Sequence, residues 1–103
     1  MGVLITPKAK ILQPLLGSVE FRYPRNSKSL VFSLEDLQRC VQGYVELVSI
    51  QETDHWAHKM GYLTMAVNEE GLRKQLPLNA VASQLHGSEV VGNALLLKES
   101  ELD

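Results

Sequence analysis

The densest polar cluster of the 103-residue chain is Asn68-Glu69-Glu70-Gly71, with Arg73 and Lys74 just beyond it. Adjacent carboxylates on a turn point in different directions. Glu69 and Glu70 therefore lack the geometry to share one proton or one metal as a catalytic dyad does. Asn68 can bond its own backbone two residues on, and Gly71 can take a positive φ. One reading is a tight turn into a short helix, with acids in the first turn favoured by the macrodipole. The other is a recognition loop on a rigid sheet, in which Asn68 and Glu70 hydrogen-bond a ligand or partner.

A second constellation is His55 and His58, three residues apart and flanking Trp56. On a helix they could offer two imidazoles to one metal, with Asp54 or Glu52 as a third ligand. Gln51 to Lys59 carries no strong helix signal, however, and reads as a polar loop. We expect no metal site there, and expect Trp56 to fold onto the core or contact a partner, as aromatic hot spots do. Cys40 sits among apolar neighbours on a helix and reads as a core residue rather than a nucleophile. There is no nucleophile elbow, phosphate loop or dinucleotide fingerprint. No catalytic residue, metal ligand or cofactor is assigned.

Nucleic-acid binding would rest on Lys8, Lys10, Arg22 and Arg25, with Phe21 and Tyr23 stacking on a single strand. The period of two puts both aromatics opposite Arg22, which makes them core residues. The net charge of −2 also argues against a nucleic-acid binder. The charge is uneven: residues 1–40 carry six basic and three acidic groups, and residues 41–103 carry four basic and nine acidic ones. Such an asymmetry can steer a partner or pair two subunits.

The elements that must position these residues are legible in outline. Gly2 to Ile5 has strand composition and stops at Pro7. Ser18 to Tyr23 alternates apolar Val19, Phe21 and Tyr23 against polar neighbours, a strand with one buried face. Ser33 can cap a helix over 33–42, with Asp36 three residues on and Phe32 and Leu37 as a hydrophobic staple. Gly43 is expected to end it in a left-handed conformation. Tyr44 to Ile50 is apolar on both faces and reads as an inner strand, paired antiparallel with Gly61 to Val67. Asn79 can cap a short helix that Gly87 closes. Val90 to Leu97 is a strongly apolar strand interrupted at Gly92-Asn93, and the tail from about residue 98 is charged. The sum is one α+β domain over 1–103. It has a mostly antiparallel sheet of about five strands, with one main helix packed on a face.

The 45% hydrophobic and 21% charged fractions are those of a folded globular chain. A single cysteine allows no intramolecular disulfide, which points to a reducing compartment, the cytoplasm. Val3-Leu4-Ile5 is too short for a signal peptide or a membrane span.

Four short motifs carry a resemblance: Gln42-Gly43-Tyr44-Val45-Glu46, Asn68-Glu69-Glu70-Gly71, Leu76-Pro77-Leu78-Asn79 and Val91-Gly92. In order and spacing, over about residues 30–97, the chain resembles a phage and bacterial family known only as a domain of unknown function. Two departures stand out, Gln42 where that pattern has Gly and Ala80 where it has Arg. The resemblance implies phage or prophage origin and names no reaction. The expectation is a small non-enzymatic accessory protein of the bacterial cytoplasm that binds a host protein or a small ligand, as an inhibitor or anti-defence factor would. Its binding residues would be Asn68, Glu69, Glu70, Gly71, Asn79 and Trp56. A homodimer would cover the open edges of so small a sheet. The alternatives are a small metal-dependent hydrolase using Glu69 or Glu70 with His55 or His58, and a weak single-stranded nucleic-acid binder.

Overall fold

Apolar and polar residues alternate along Val19–Arg22, while the strands over Gly2–Ile5 and Ala94–Lys98 are apolar on both sides and fix the centre of the sheet. A computed structural model describes residues 2–7, 19–22 and 31–102. The strands are β1 (Gly2–Ile5), β2 (Val19–Arg22), β3 (Val45–Ser49), β4 (Tyr62–Asn68) and β5 (Ala94–Lys98). They form an antiparallel sheet in the order β2-β1-β5-β4-β3. Ala94, Leu95, Leu96 and Leu97 of β5 are all buried. A strand apolar on both sides needs cover on both sides.

The cover comes from helices on opposite faces. On one face, Leu37 and Val41 of α1 (Leu34–Val41) and the preceding Phe32 pack on Leu4, Ala66, Leu95 and Leu97. On the other face, Ala57 of α2 (Trp56–Lys59) and Val81, Ala82 and Leu85 of α3 (Ala80–His86) pack on Val3, Ile5, Met65, Val67 and Leu96. The α+β class and antiparallel sheet stand, but the single main helix on one face is corrected to helices on both. The two-sided apolarity of β5 is the reason.

The cap of α1 forms as its sequence requires. Asp36 N donates to Ser33 Oγ, and Ser33 N donates back to Asp36 Oδ2, each at 3.1 Å. The helix ends one residue earlier than expected, because Gln42 and not Gly43 takes the left-handed conformation, with φ of 62°. The loop expected over 51–59 contains the one-turn helix α2, which His55 caps by accepting from Ala57 N at 3.1 Å. The strand expected from Tyr44 is an edge strand and not an inner one. Its exposed Glu46, Leu47 and Ser49 are what an edge tolerates. The last strand starts only at Ala94, since Gly92 turns the chain with φ of 78°. Among the described residues no helix is long and apolar enough to cross a membrane.

A left-handed conformation costs an L-residue about 1–2 kcal/mol, and glycine returns part of that gain through the freedom it adds to the unfolded chain. Gln42→Gly is therefore expected to stabilise the protein by roughly 0.5–1 kcal/mol. A urea unfolding curve checks it: the midpoint should rise with the slope unchanged.

Candidate functional site

The four motifs meet at one corner of the sheet, and two buried asparagines hold them together. Asn68 ends β4, where it pairs with Val45. Its Nδ2 donates to Val41 O at the end of α1, at 3.1 Å, and its Oδ1 accepts from Glu70 N at 2.8 Å. Gly43 passes so close that a Cβ there would sit 2.7 Å from Asn68 Nδ2. Gly71 lies equally close to the last motif, with room for no Cβ beyond 2.6 Å from Val91 Cγ2. Leu78 bridges to Val91, and Gly92 N donates to Pro77 O at 2.7 Å.

Asn79 closes the corner. It is fully buried, and its Nδ2 donates to Ile5 O and to Gly92 O, each at 2.9 Å. Its Oδ1 accepts from Ala82 N at 3.1 Å and so caps α3. Both amide hydrogens and the amide oxygen are thus engaged within the fold.

This geometry divides the residues singled out in the sequence. The side chains of Asn68 and Asn79 are occupied as described, and Gly71 is buried against Val91. Glu70 is half-buried and ion-paired with the exposed Arg73, while Glu69 projects to solvent. The segment after Gly71 is a succession of turns rather than the short helix one reading expected, closed by Lys74 N donating to Glu70 O at 2.9 Å.

Trp56 belongs to a different place. It packs half-buried on the core beside His55, with ring centroids 5.2 Å apart. The His55–Lys59 segment precedes the seven-residue β4, and Glu69 and Glu70 follow it, so the two groups are attached to opposite ends of that strand. Among the described residues no group of three or more His, Cys, Asp or Glu is arranged to hold a metal ion. Of the basic and aromatic set near the second strand, Lys8, Lys10, Tyr23 and Arg25 lie outside the described residues.

Glu69 does line a cleft, with partners the sequence did not single out. Val48, Val67, Val90 and Val91 give it an apolar floor, and Leu72 flanks it. Glu46, Glu69 and Glu89 supply three carboxylates, His86 lies at its side, and the volume is about 190 Å³. The one sequence signal for it was the acidic excess of residues 41–103.

The cleft runs beside an open strand edge. Ile50 N donates to Leu63 O, and Glu69 N donates to Tyr44 O. Even-numbered residues of β3 therefore turn their backbone groups to β4, and Val45, Leu47 and Ser49 turn theirs outward. The Ser49 carbonyl is bonded by His86 Nδ1 at 2.7 Å. Among the described residues no strand pairs with the outward groups of Val45 and Leu47. Tyr44, Leu47 and Leu72 are exposed around this edge, Tyr44 at 63% and Leu72 at 68%.

A family model described as a domain of unknown function (DUF3846) matches residues 18–102. No curated protein and no solved structure matches the chain.

Three outcomes follow from how these side chains are engaged. Asn79→Asp keeps the cap acceptor but turns a carboxylate toward two carbonyls, and should cost about 3–5 kcal/mol. Glu69→Gln should stay within about 0.5 kcal/mol of the parent. Equal stability of Asn79→Asp and the parent in urea would contradict the structural role given to Asn79. Burial holds the His55 imidazole below its ordinary pKa of 6.5, against the opposing pull of Glu52. The unfolded chain then binds the proton more readily. The stabilisation is full above about pH 6.5 and lost as pH falls through the lower folded value. His55→Asn retains a cap acceptor and does not titrate, so its urea midpoint should fall less than the parent's on acidification from pH 7.5 to 5.5.

Proposed function

The chain belongs to the DUF3846 family, a domain of unknown function, and we propose that it is a non-enzymatic binding protein that takes up a basic segment of a partner polypeptide. The observation that carries this reading is the acidic cleft beside the β3 edge. Its floor is apolar and its rim carries Glu46, Glu69 and Glu89. Lysine and arginine have the matching chemistry, since their stems cover apolar surface while their heads reach carboxylates. An extended segment could also bond the outward backbone groups of Val45 and Leu47, as in strand addition to an open edge.

In this reading the corner is scaffold and the surface beside it is the site. Asn68, Gly71 and Asn79 set the shape, and Glu69 with Glu46 and Glu89 makes contact. The partner is a host protein and the chain a phage-type accessory factor, a reading supported by the motif resemblance. Trp56 stays with the core.

The test is selection from a random displayed peptide library on the purified protein, repeated on a Glu46→Lys/Glu69→Lys variant of parental stability. Peptides that combine Lys or Arg with apolar residues should be enriched. Each charge reversed at an exposed rim changes binding modestly, so the double variant should bind the selected peptides about tenfold more weakly. Enriched peptides without basic residues, no enrichment, or equal binding to the variant would each overturn the proposal. So would a stable dimer in sedimentation that buries the β3 edge, since a second copy would then be the occupant.

A further inference from the structure

The opposite face of the sheet carries a larger cleft of contrary charge. It lies between α1 and the β1–β2 side, with a volume of about 310 Å³. That is at the lower end of the range for small-molecule sites. Leu4 and Phe32 give it apolar wall, and Arg22, Arg39, Gln42 and Asn93 give it polar groups. We propose that this cleft binds a small organic anion, a carboxylate or phosphate ester with a flat apolar body.

The backbone brings the two guanidiniums to one cleft from distant parts of the chain. Arg22 ends β2 opposite Gly2, so the two residues share the face of the sheet that α1 covers. A Cβ at Gly2 would sit 3.0 Å from Leu95 Cδ1 and 3.1 Å from Phe32 Cζ, so the apolar wall closes directly on the backbone there. Arg39 comes from the last turn of α1. Among the described residues the one carboxylate lining the cleft, Asp36, is held by the cap and by Arg39. Its Oδ2 accepts from Ser33 N at 3.1 Å, and its Oδ1 accepts from Arg39 Nη1 at 3.3 Å. A guanidinium has five N–H donors, so engagement with one partner leaves others to clasp an anion in the plane. Asn93 is fixed by donating through Nδ2 to Cys40 O at 3.1 Å. The apolar wall accounts for the expected ligand body: Leu4 and Phe32, packed in the core, also line the cleft, and a bare inorganic ion would make no use of that surface.

Cys40, the chain's one cysteine, lines the same cleft and serves as a reporter. Burial raises its thiol pKa above the usual value, against the pull of Arg22. Labelling is therefore best followed at mildly alkaline pH.

The experiment measures the rate at which iodoacetamide alkylates Cys40, by intact mass, with millimolar phenyl phosphate, benzoate or benzyl alcohol present. At a concentration twice the dissociation constant, a bound anion should slow labelling about threefold. Protection by phenyl phosphate alone would assign a phosphate ester, and protection by benzoate, with or without phenyl phosphate, a carboxylate-tolerant site. Arg22→Gln and Arg39→Gln should each weaken the protection, and Glu46→Lys/Glu69→Lys on the other face should leave it unchanged. No protection by either anion, equal protection by benzyl alcohol, or protection undiminished in both arginine variants would overturn the proposal. Because the reporter Cys40 lies at this cleft and the peptide selection reads the other face, the two outcomes are independent.

Discussion

The amide of Asn79 is the interaction on which the arrangement depends. It bonds the end of β1 through Ile5, the turn before β5 through Gly92 and the first turn of α3 through Ala82. These segments are far apart in sequence, and hydrophobic packing alone would let them slide. A buried amide left without partners costs about 1–3 kcal/mol, so a displaced α3 would leave several polar groups unsatisfied at once. The same logic operates across the corner, where Asn68 joins the end of β4 to the end of α1. Two asparagines thus register both helical layers against the central strands. This gives the Asn, Gly and Pro residues of these segments a structural role: they build the corner.

That reading changes where function should be sought. A motif rich in polar residues looks like a site in sequence, because nothing in the residue type separates a side chain bonded to a ligand from one bonded to the backbone. Burial separates them. Asn79 and Asn68 have their polar atoms engaged inside the fold, while Glu69, one residue from Asn68, faces a cleft. The corner defines the position of Glu69 closely and leaves its carboxylate available.

Much of the fold was legible where local rules act alone. The box of Ser33 and Asp36, the staple of Phe32 and Leu37 and the caps of Asn68 and Asn79 are contacts within a few residues, and all but the staple are hydrogen bonds that form as expected; Phe32 and Leu37 share one core cluster. What escaped depends on tertiary partners. Tyr44 to Ile50 looked inner because apolar residues fall on both its faces, Val48 and Ile50 on one and Val45 and Leu47 on the other, yet an edge strand can leave some of them exposed, as Leu47 is. The helix over 56–59 escaped because its cap is a histidine, an uncommon choice, and because four residues carry no periodicity. The acidic cleft draws Glu46, Glu69 and Glu89 from three separate segments, and no spacing rule could have joined them.

The charge asymmetry of the sequence finds a physical form here. Three of the nine acidic groups of residues 41–103, Glu46, Glu69 and Glu89, line the cleft on the α3 side, beside the β3 edge. Arg22 and Arg39, from the basic first forty residues, line the cleft on the α1 side. The two clefts are separated by the sheet, whose central strands are buried on both faces. An intervening layer of low polarity keeps each field directed outward into its own cleft rather than cancelling across the domain. A chain of small net charge can therefore present two surfaces of opposite sign. The sheet that gives the protein its core is also what keeps those surfaces apart.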